Sequence, residues 1–343
     1  MKVSAPKRLV VGLVYDLRKD YLAAGFSEEQ VAEFDAEETI AALEKAICAA
    51  GYVVERIGNG RELCRRLGSG DRWDLVFNIA EGVKGRSREA QVPALLEMFE
   101  IPYVFSDPLV CAVSLDKATA KRLVGAAGLP TARFCVIEHE RDVAGVNLGF
   151  PLFAKPIAEG TGKGVDHRSR IMSQAQLRQV CRRLLRRYAQ PVLVEEYLPG
   201  REFTTGILGT GRAARVLGTM EVIVKENAPT QDYSFEVKEH CERFVDYLPM
   251  KRDRLGREVE NLALAAYRAM ECRDAGRVDI RLDRRGQPVF MEINPLPGLN
   301  PGHSDLPMIA AQAGLTYEEL IAAILRSALA RRTKAHNGRE KRA

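Results

Sequence analysis

The stretch GRVDIRLDRRGQPVFMEINP, residues 276–295, alternates apolar and polar side chains on both sides of an Arg285-Gly286 pair. Period-two alternation around a glycine turn predicts an antiparallel hairpin. A loop symmetric about Arg285-Gly286 sets Asp279 opposite Glu292 and Arg277 opposite Asn294. All four then share one face, while Val278, Ile280, Leu282, Val289, Met291 and Ile293 take the other, which reads as core. Two carboxylates and an amide oxygen roughly 5 Å apart across a ladder repel unless a cation sits between them. A hard, oxygen-seeking divalent ion, most naturally Mg²⁺ carrying nucleotide phosphates, resolves that conflict. The plainer alternative is a solvated charged face held by an Arg–Asp ion pair.

Two upstream segments point the same way. In AKPIAEGTGKGV, residues 154–165, Lys155 ends a strand and Gly160, Gly162 and Gly164 alternate through a polar loop. Glycines let backbone N–H groups close on phosphate oxygens, and Lys155 and Lys163 add positive charge. The spacing is neither that of a P-loop nor that of a dinucleotide fingerprint. In VLVEEYLPGREF, residues 192–203, Glu195, Glu196 and Glu202 stand at or beside strand ends around a Pro-Gly turn. There they can accept hydrogen bonds from an adenine amine and from ribose hydroxyls, with ordinary surface glutamates as the alternative.

From Leu9 to Phe105, β-branched runs alternate with helical patterns (LVVGLVY, EETIAALEKAICAA, YVVERI, DLVFNIA, QVPALLEMF, YVF), the mark of a βαβ layer with a mostly parallel sheet. A helix over Asp116–Ala127 opens the next unit. Short strands and one basic amphipathic helix (LRQVCRRLLRRY) follow up to Val224, suggesting a small α+β lobe. Residues 225–249 are polar and unpatterned, as functional loops are. A helix from Gly256, two strands, a proline-rich loop over 295–307 and a helix around Tyr317–Leu329 complete the pattern, before a basic tail that reads as frayed. The expected lobes are 1–115, an N-terminal α/β substrate lobe; 116–205, a small central lobe; 206–330, a C-terminal lobe carrying the metal site; and the tail, 331–343.

The 343 residues are 46% hydrophobic, enough for a packed core and against disorder or coiled coil. The balance of 51 Lys and Arg against 46 Asp and Glu is too even to indicate nucleic acid. Seven cysteines without a C-x-x-C pair point to a reducing compartment, the cytoplasm. No apolar run reaches the length of a membrane span.

The order of these segments resembles the ATP-grasp superfamily, and specifically the D-alanine–D-alanine ligases. The resemblance runs from about Leu75 to Leu320 and is densest in GRVD…MEINPLPGLNPGHSDLP. It implies an ATP-grasp fold, α/β in class with an α+β central lobe and an N-terminal βαβ-type lobe, and ATP held between the last two lobes. By the same resemblance Lys117 and Lys155 contact the nucleotide phosphates, Glu195, Glu196 and Leu198 form the adenine hinge, and Glu202 takes the ribose. Thr161 stands in the phosphate-covering loop, and Lys238 reaches the γ-phosphate from a mobile loop. Asp279, Glu292 and Asn294 bind Mg²⁺, two ions in the family, with Mn²⁺ as a substitute. Arg277 and the Gly298 N–H stabilise a tetrahedral intermediate, and Ser304 and Leu306 lie in the segment that grips the second substrate's carboxylate. The implied reaction activates a carboxylate as an acyl phosphate, which an amine then attacks. It implies small amino-acid substrates, a place in peptidoglycan biosynthesis and, since these ligases are commonly dimers, a homodimer.

The departures from the family lie on the amino-acid side. The usual acid for the first ammonium is missing from its segment, and Glu33, Asp35 or Glu37 is the substitute. The family's His-Gly…Gly-Glu-Asp-Gly loop becomes AEGVKGRSRE, where Arg86 and Arg88 bring positive charge. Glu239 replaces a tyrosine after the mobile-loop lysine, so an ionised group that only accepts stands where a phenol usually donates. Asp305 follows Ser304 in a turn one residue longer than usual. Two readings stay open: a divergent D-alanine ligase, and a ligase that joins other amino acids or an amino acid to a different carboxylate. A non-ligase ATP-grasp enzyme and a nucleotide sensor are the remaining classes.

Overall fold

The computed structural model describes residues 8–230, 232 and 234–340, with side chains up to Arg331. Its described strands form three sheets. In the first, β1 (Val10–Val14) lies between β2 (Val53–Gly58) and β3 (Leu75–Asn78), and both pairings are parallel, as the alternation implies. YVF does not continue it as a strand. Only Tyr103 bridges to Val76, because Phe105 turns into the left-handed region (φ 76°) and its N–H goes to Asp274.

The second sheet is antiparallel, in the order β4 (Phe134–Ile137), β7 (Val192–Glu196), β5 (Leu152–Pro156), β6 (Arg170–Ile171). The helix Gln174–Tyr188 starts at Ser173, whose hydroxyl accepts the Gln176 N–H, and buries Leu177, Val180, Cys181 and Leu184. Its outward Arg182, Arg183, Arg186 and Arg187 are engaged in ion pairs with Glu29, Glu140 and Asp166.

The third sheet is also antiparallel, with β8 (Glu202–Leu208), β9 (Arg215–Val224), β10 (Val245–Pro249), β11 (Ala275–Leu282) and β12 (Pro288–Asn294) in the order β10-β9-β8-β11-β12. The expected boundary at 205 falls inside β8. The segment 225–249, read as unpatterned, contains two short helices, Phe235–Glu239 and Cys241–Phe244, and β10. Val237, Cys241, Phe244 and Val245 bury together against Val222, a core too small and too interrupted by charge to show as a periodicity. Gly206 and Gly218 face each other across β8 and β9. A Cβ on either would come within 3.2 Å of Leu306 or Ile309, so the two glycines let the helix Asp305–Gln312 sit directly on the sheet.

The β11–β12 hairpin pairs Arg277 with Asn294 and Asp279 with Glu292, as expected, but the turn differs. Asp283 donates its N–H to Gln287, centring the loop on Arg285, and the extra residue is absorbed by a bulge that sets Ile280 opposite Phe290. Phe290, fully buried, therefore takes the core position expected for Met291, which is half-buried beside the cleft.

The last helix, Tyr317–Glu340, runs past Leu329, so the tail does not begin as a frayed end; residues 341–343 lie outside the described residues. Arg331 donates to Asp274 at 2.5 and 2.9 Å. Fully buried Asp274 also accepts from Phe105 N–H (2.9 Å), Ser327 (2.8 Å) and Thr210 (3.2 Å), clamping three segments together. Asp274→Ala should cost about 3 kcal/mol, the scale of a broken buried ion pair. Urea unfolding measures it, and a midpoint unchanged from wild type would remove the clamp from the account. No single described helix is long and apolar enough to cross a membrane.

Candidate active site

The second and third sheets bring the lysines of one to the carboxylates of the other. Lys155 lies on β5, and Lys117 opens the helix Lys117–Ala126, capped by the Asp116 side chain on the Thr119 N–H. Both are buried, and each ammonium stands 3.7 Å from the Glu292 carboxylate. Burial works against the charge on Glu292, but Lys117, Lys155, Lys238 and Arg277 together more than offset it and hold the carboxyl well below its usual range. Asp279 is pushed the other way, upward, by burial and by Glu292, with Arg277 opposing. It accepts from Thr204 at 2.7 Å and from Arg277 at 2.6 and 2.8 Å.

The donor set suits a hard cation. Asp279, Glu292 and Asn294 offer oxygen on neighbouring positions of one hairpin face, and the buried Asn294 Nδ2 has no hydrogen-bond partner. That nitrogen is a donor, which an acceptor such as a phosphate oxygen would complete, while the Asn294 Oδ1 is the atom offered to a cation.

Two cavities meet here. A cleft of about 60 Å³ between the sheets is lined by Phe153, Lys155, Glu202, Arg281 and Met291. A larger cavity of about 440 Å³ reaches toward the N-terminal lobe, past Arg277, Asn294, Gly298 and Ser304. Lys117, Lys238 and Glu292 line both and form their common wall. At the small cleft Arg281 donates to Asp232 of the 225–249 segment (3.3 Å), which Tyr197 also reaches (3.2 Å). Gly162 of the glycine loop lies against the same segment, where a Cβ would meet the Phe235 N–H nitrogen at 2.8 Å. The segment thus packs over the glycine loop.

Most of the expected residues converge. Thr161 lines the larger cavity with its backbone in the left-handed region (φ 50°), a strained setting for a β-branched residue. Lys238, Glu239, Gly298 and Ser304 line it too, and the Ser304 hydroxyl accepts the Asn300 N–H at 3.0 Å. Glu202 lines the small cleft and stands 3.5 Å from Arg281.

Other side chains point elsewhere. The Leu306 side chain is fully buried against Gly206 and leaves the cavity wall to Ser304 and Asp305. Glu195 bridges Lys121 (2.9 Å) and Lys155 (3.3 Å) beneath the cleft, Glu196 turns to Arg133 at the surface (3.3 Å), and neither lines the cleft. Leu198 is half-buried and outside the lining as well. Lys163 is held between Glu33 and Glu159, 2.6 Å from each.

The three N-terminal acids separate cleanly. Glu37 pairs with Arg56 (2.5 Å) and Lys19 (3.0 Å) away from the cavity, and Glu33 is neutralised by Arg88 (3.0 Å) and Lys163. Asp35 lines the cavity; burial and the nearby Asp16 carboxylate, against Arg18, push it up to about 7. The arginines of the 81–90 loop do not face the cavity as expected. Arg86 reaches Asp116 (2.6 Å), and buried Arg88 donates to the Ala158 carbonyl and to Glu33, leaving Glu81 and Glu89 as cavity walls. Sequence reading missed both glutamates, along with Lys121, Asp232 and Arg281, because their roles arise from contacts with distant segments.

Comparison with known proteins agrees with this geometry. The family described as D-ala D-ala ligase C-terminus matches residues 123–326. The chain is 36% identical over 252 residues to the Sinorhizobium fredii protein y4sG, covering 73% of each chain. It is 32% identical over 310 residues to the D-alanine–D-alanine ligase of the same organism, covering 88% of this chain and 94% of the relative. The Bacillus anthracis D-alanine–D-alanine ligase solved with ATP superposes with a TM-score of 0.72 at 21% identity, covering 96% of this chain and 99% of that one. With both the sequence family and the fold in agreement, the chain belongs to the D-alanine–D-alanine ligase family of ATP-dependent ligases, with the ATP-grasp fold.

Proposed function

We propose that the protein joins the carboxylate of one amino acid to the amine of another through an acyl phosphate formed from ATP. The observation that carries this reading is the common wall of Lys117, Lys238 and Glu292 between the nucleotide cleft and the larger cavity, which is where a γ-phosphate would meet an acceptor carboxylate. Lys117, Lys155 and Lys238 offset the phosphate charge during attack by the first substrate's carboxylate. Asp279, Glu292 and Asn294 would hold Mg²⁺, which when bound supplies further charge neutralisation at the phosphates. Asp35 takes the first ammonium. The second amine attacks the acyl carbon, phosphate leaves, and the Arg277 guanidinium with the Gly298 N–H stabilises the oxyanion. Ser304, on the wall of the larger cavity, holds the second carboxylate. Seven free thiols support a cytoplasmic setting, and the family supports a role in peptidoglycan precursor synthesis and a homodimer.

The test is incubation with ATP, Mg²⁺ and paired amino acids of both hands, following products by mass spectrometry. An amide product formed one for one with ADP is expected, and ADP without any amide from any pair would contradict the reading. The 225–249 segment, acting as a lid, gives a second expectation. Arg281→Ala leaves Asp232 held by Tyr197 alone and loosens the lid, so water should reach the acyl phosphate and ADP release exceed amide formation by roughly threefold or more. A ratio that stays at one would show that Arg281 does not keep the lid closed.

A further inference from the structure

The larger cavity is more acidic than one amino-acid ammonium requires. Asp35, Glu81 and Glu89 line its N-terminal side, and none of the three side chains makes a hydrogen bond or ion pair among the described residues. Glu89 is the most informative, being only 9% exposed and yet part of the cavity wall. Its carboxylate opens on the cavity without a hydrogen-bond partner among the described residues, where a cationic ligand would complete it.

The neighbouring cations are engaged elsewhere. Arg88 donates to Glu33 and the Ala158 carbonyl, Lys163 bridges Glu33 and Glu159, and Arg18 donates to the carbonyls of Ala32 and Phe34. Lys117 faces Glu292, and Asp16 accepts from Tyr21 and from the Gly82 N–H. Burial raises all three acids, joined by Asp16 at Asp35, by Glu89, Glu33 and Asp35 at Glu81, and by Glu33 at Glu89 against Arg88, Lys117 and Lys163: Asp35 and Glu89 go to about 7, and Glu81 well above its usual range. The oxygens of the three do not gather within 4.8 Å of one another, as the ligands of one metal ion would. Their spread suits an extended cation.

Resting on the ligase reading above, we propose that the first substrate carries a second cationic group, an amine or guanidine on its side chain, which Glu81 and Glu89 hold while Asp35 takes the α-ammonium. The substrate class is a basic or diamino acid. Because burial favours the protonated form of these acids and a cation favours the ionised form, binding should release protons and tighten as pH rises.

The experiment uses the full chain with ATP and Mg²⁺, and compares alanine, norvaline, 2,3-diaminopropionate, ornithine, lysine and arginine of both hands. Each is tested alone by calorimetry and in pairs for amide product by mass spectrometry. One dibasic acid should bind and react with a kcat/KM about tenfold or more above norvaline, the uncharged analogue of ornithine. Glu81→Gln and Glu89→Gln, near-isosteric changes checked for folding by thermal melting, should each cut that ratio about fivefold or more. Neutral acids preferred in the wild type, or a dibasic preference untouched in both variants, would overturn the proposal. Amide formed from neutral acids alone would leave the ligase reading standing and this one refuted. A calorimetric dibasic preference, lost in the variants, without amide from any pair would sustain the cation pocket and refute the ligase reading.

Discussion

Glu292→Gln should lower Mg²⁺-dependent turnover by about 10³-fold or more, the loss expected when several kcal/mol of charge stabilisation leave a transition state. Glu292 is the meeting point of the site: Lys117 and Lys155 converge on it at 3.7 Å, it faces Asp279 across the hairpin, and it lines both cavities. Glutamine keeps the shape but removes the charge, so the two buried ammonium groups lose their common anion and the metal site loses a ligand. The core side of β12 is untouched, since Phe290 and Ile293 point the other way, and the protein should still fold. Steady-state ADP release with a titration of Mg²⁺ measures the effect. Activity within tenfold of wild type, at the same Mg²⁺ requirement, would remove Glu292 from the metal site.

Arg277→Lys should separate the two half-reactions. One guanidinium nitrogen contacts Asp279 at 2.6 and 2.8 Å and Asp305 at 3.1 Å, which anchors the group beside the larger cavity. Lysine retains the charge but not the planar fork. Loss of one oriented oxyanion donor lowers a rate by roughly 10²–10³-fold, so amide formation should fall by that amount. Formation of the acyl phosphate precedes the oxyanion and should fall far less, leaving ADP release in the first turnover nearly intact. Rapid-quench measurement of ADP and amide distinguishes the steps, and an equal loss in both would assign Arg277 to the metal cluster alone.

The chemistry of the hairpin was legible in the sequence because strand period and charge agree: Arg277, Asp279, Glu292 and Asn294 share a face wherever the turn is drawn nearly right. The expected register at that end holds only because a loop centred on Arg285 and a bulge near Met291 compensate each other. Nearer the turn they do not cancel, and Phe290 takes the place assigned to Met291. Residues 225–249 read as a closing loop, but their two helices and strand were not legible, since a core of Val237, Cys241 and Phe244 exists only once β10 pairs with β9. Glu81 and Glu89 were hidden for a related reason. The loop reads as basic until Asp116 and Glu33, residues far along the chain, draw Arg86 and Arg88 away from the cavity. Arg331 likewise looks like tail until Asp274 binds it.

The most direct test of an acyl phosphate at this site uses a first substrate labelled with ¹⁸O in its carboxylate. Attack on the γ-phosphate makes one carboxylate oxygen the bridge between carbon and phosphorus, and release after amine attack carries that oxygen away with phosphate. One ¹⁸O per amide formed should therefore appear in the inorganic phosphate, read by mass spectrometry or by ³¹P isotope shift. Amide formed with unlabelled phosphate would contradict activation through an acyl phosphate.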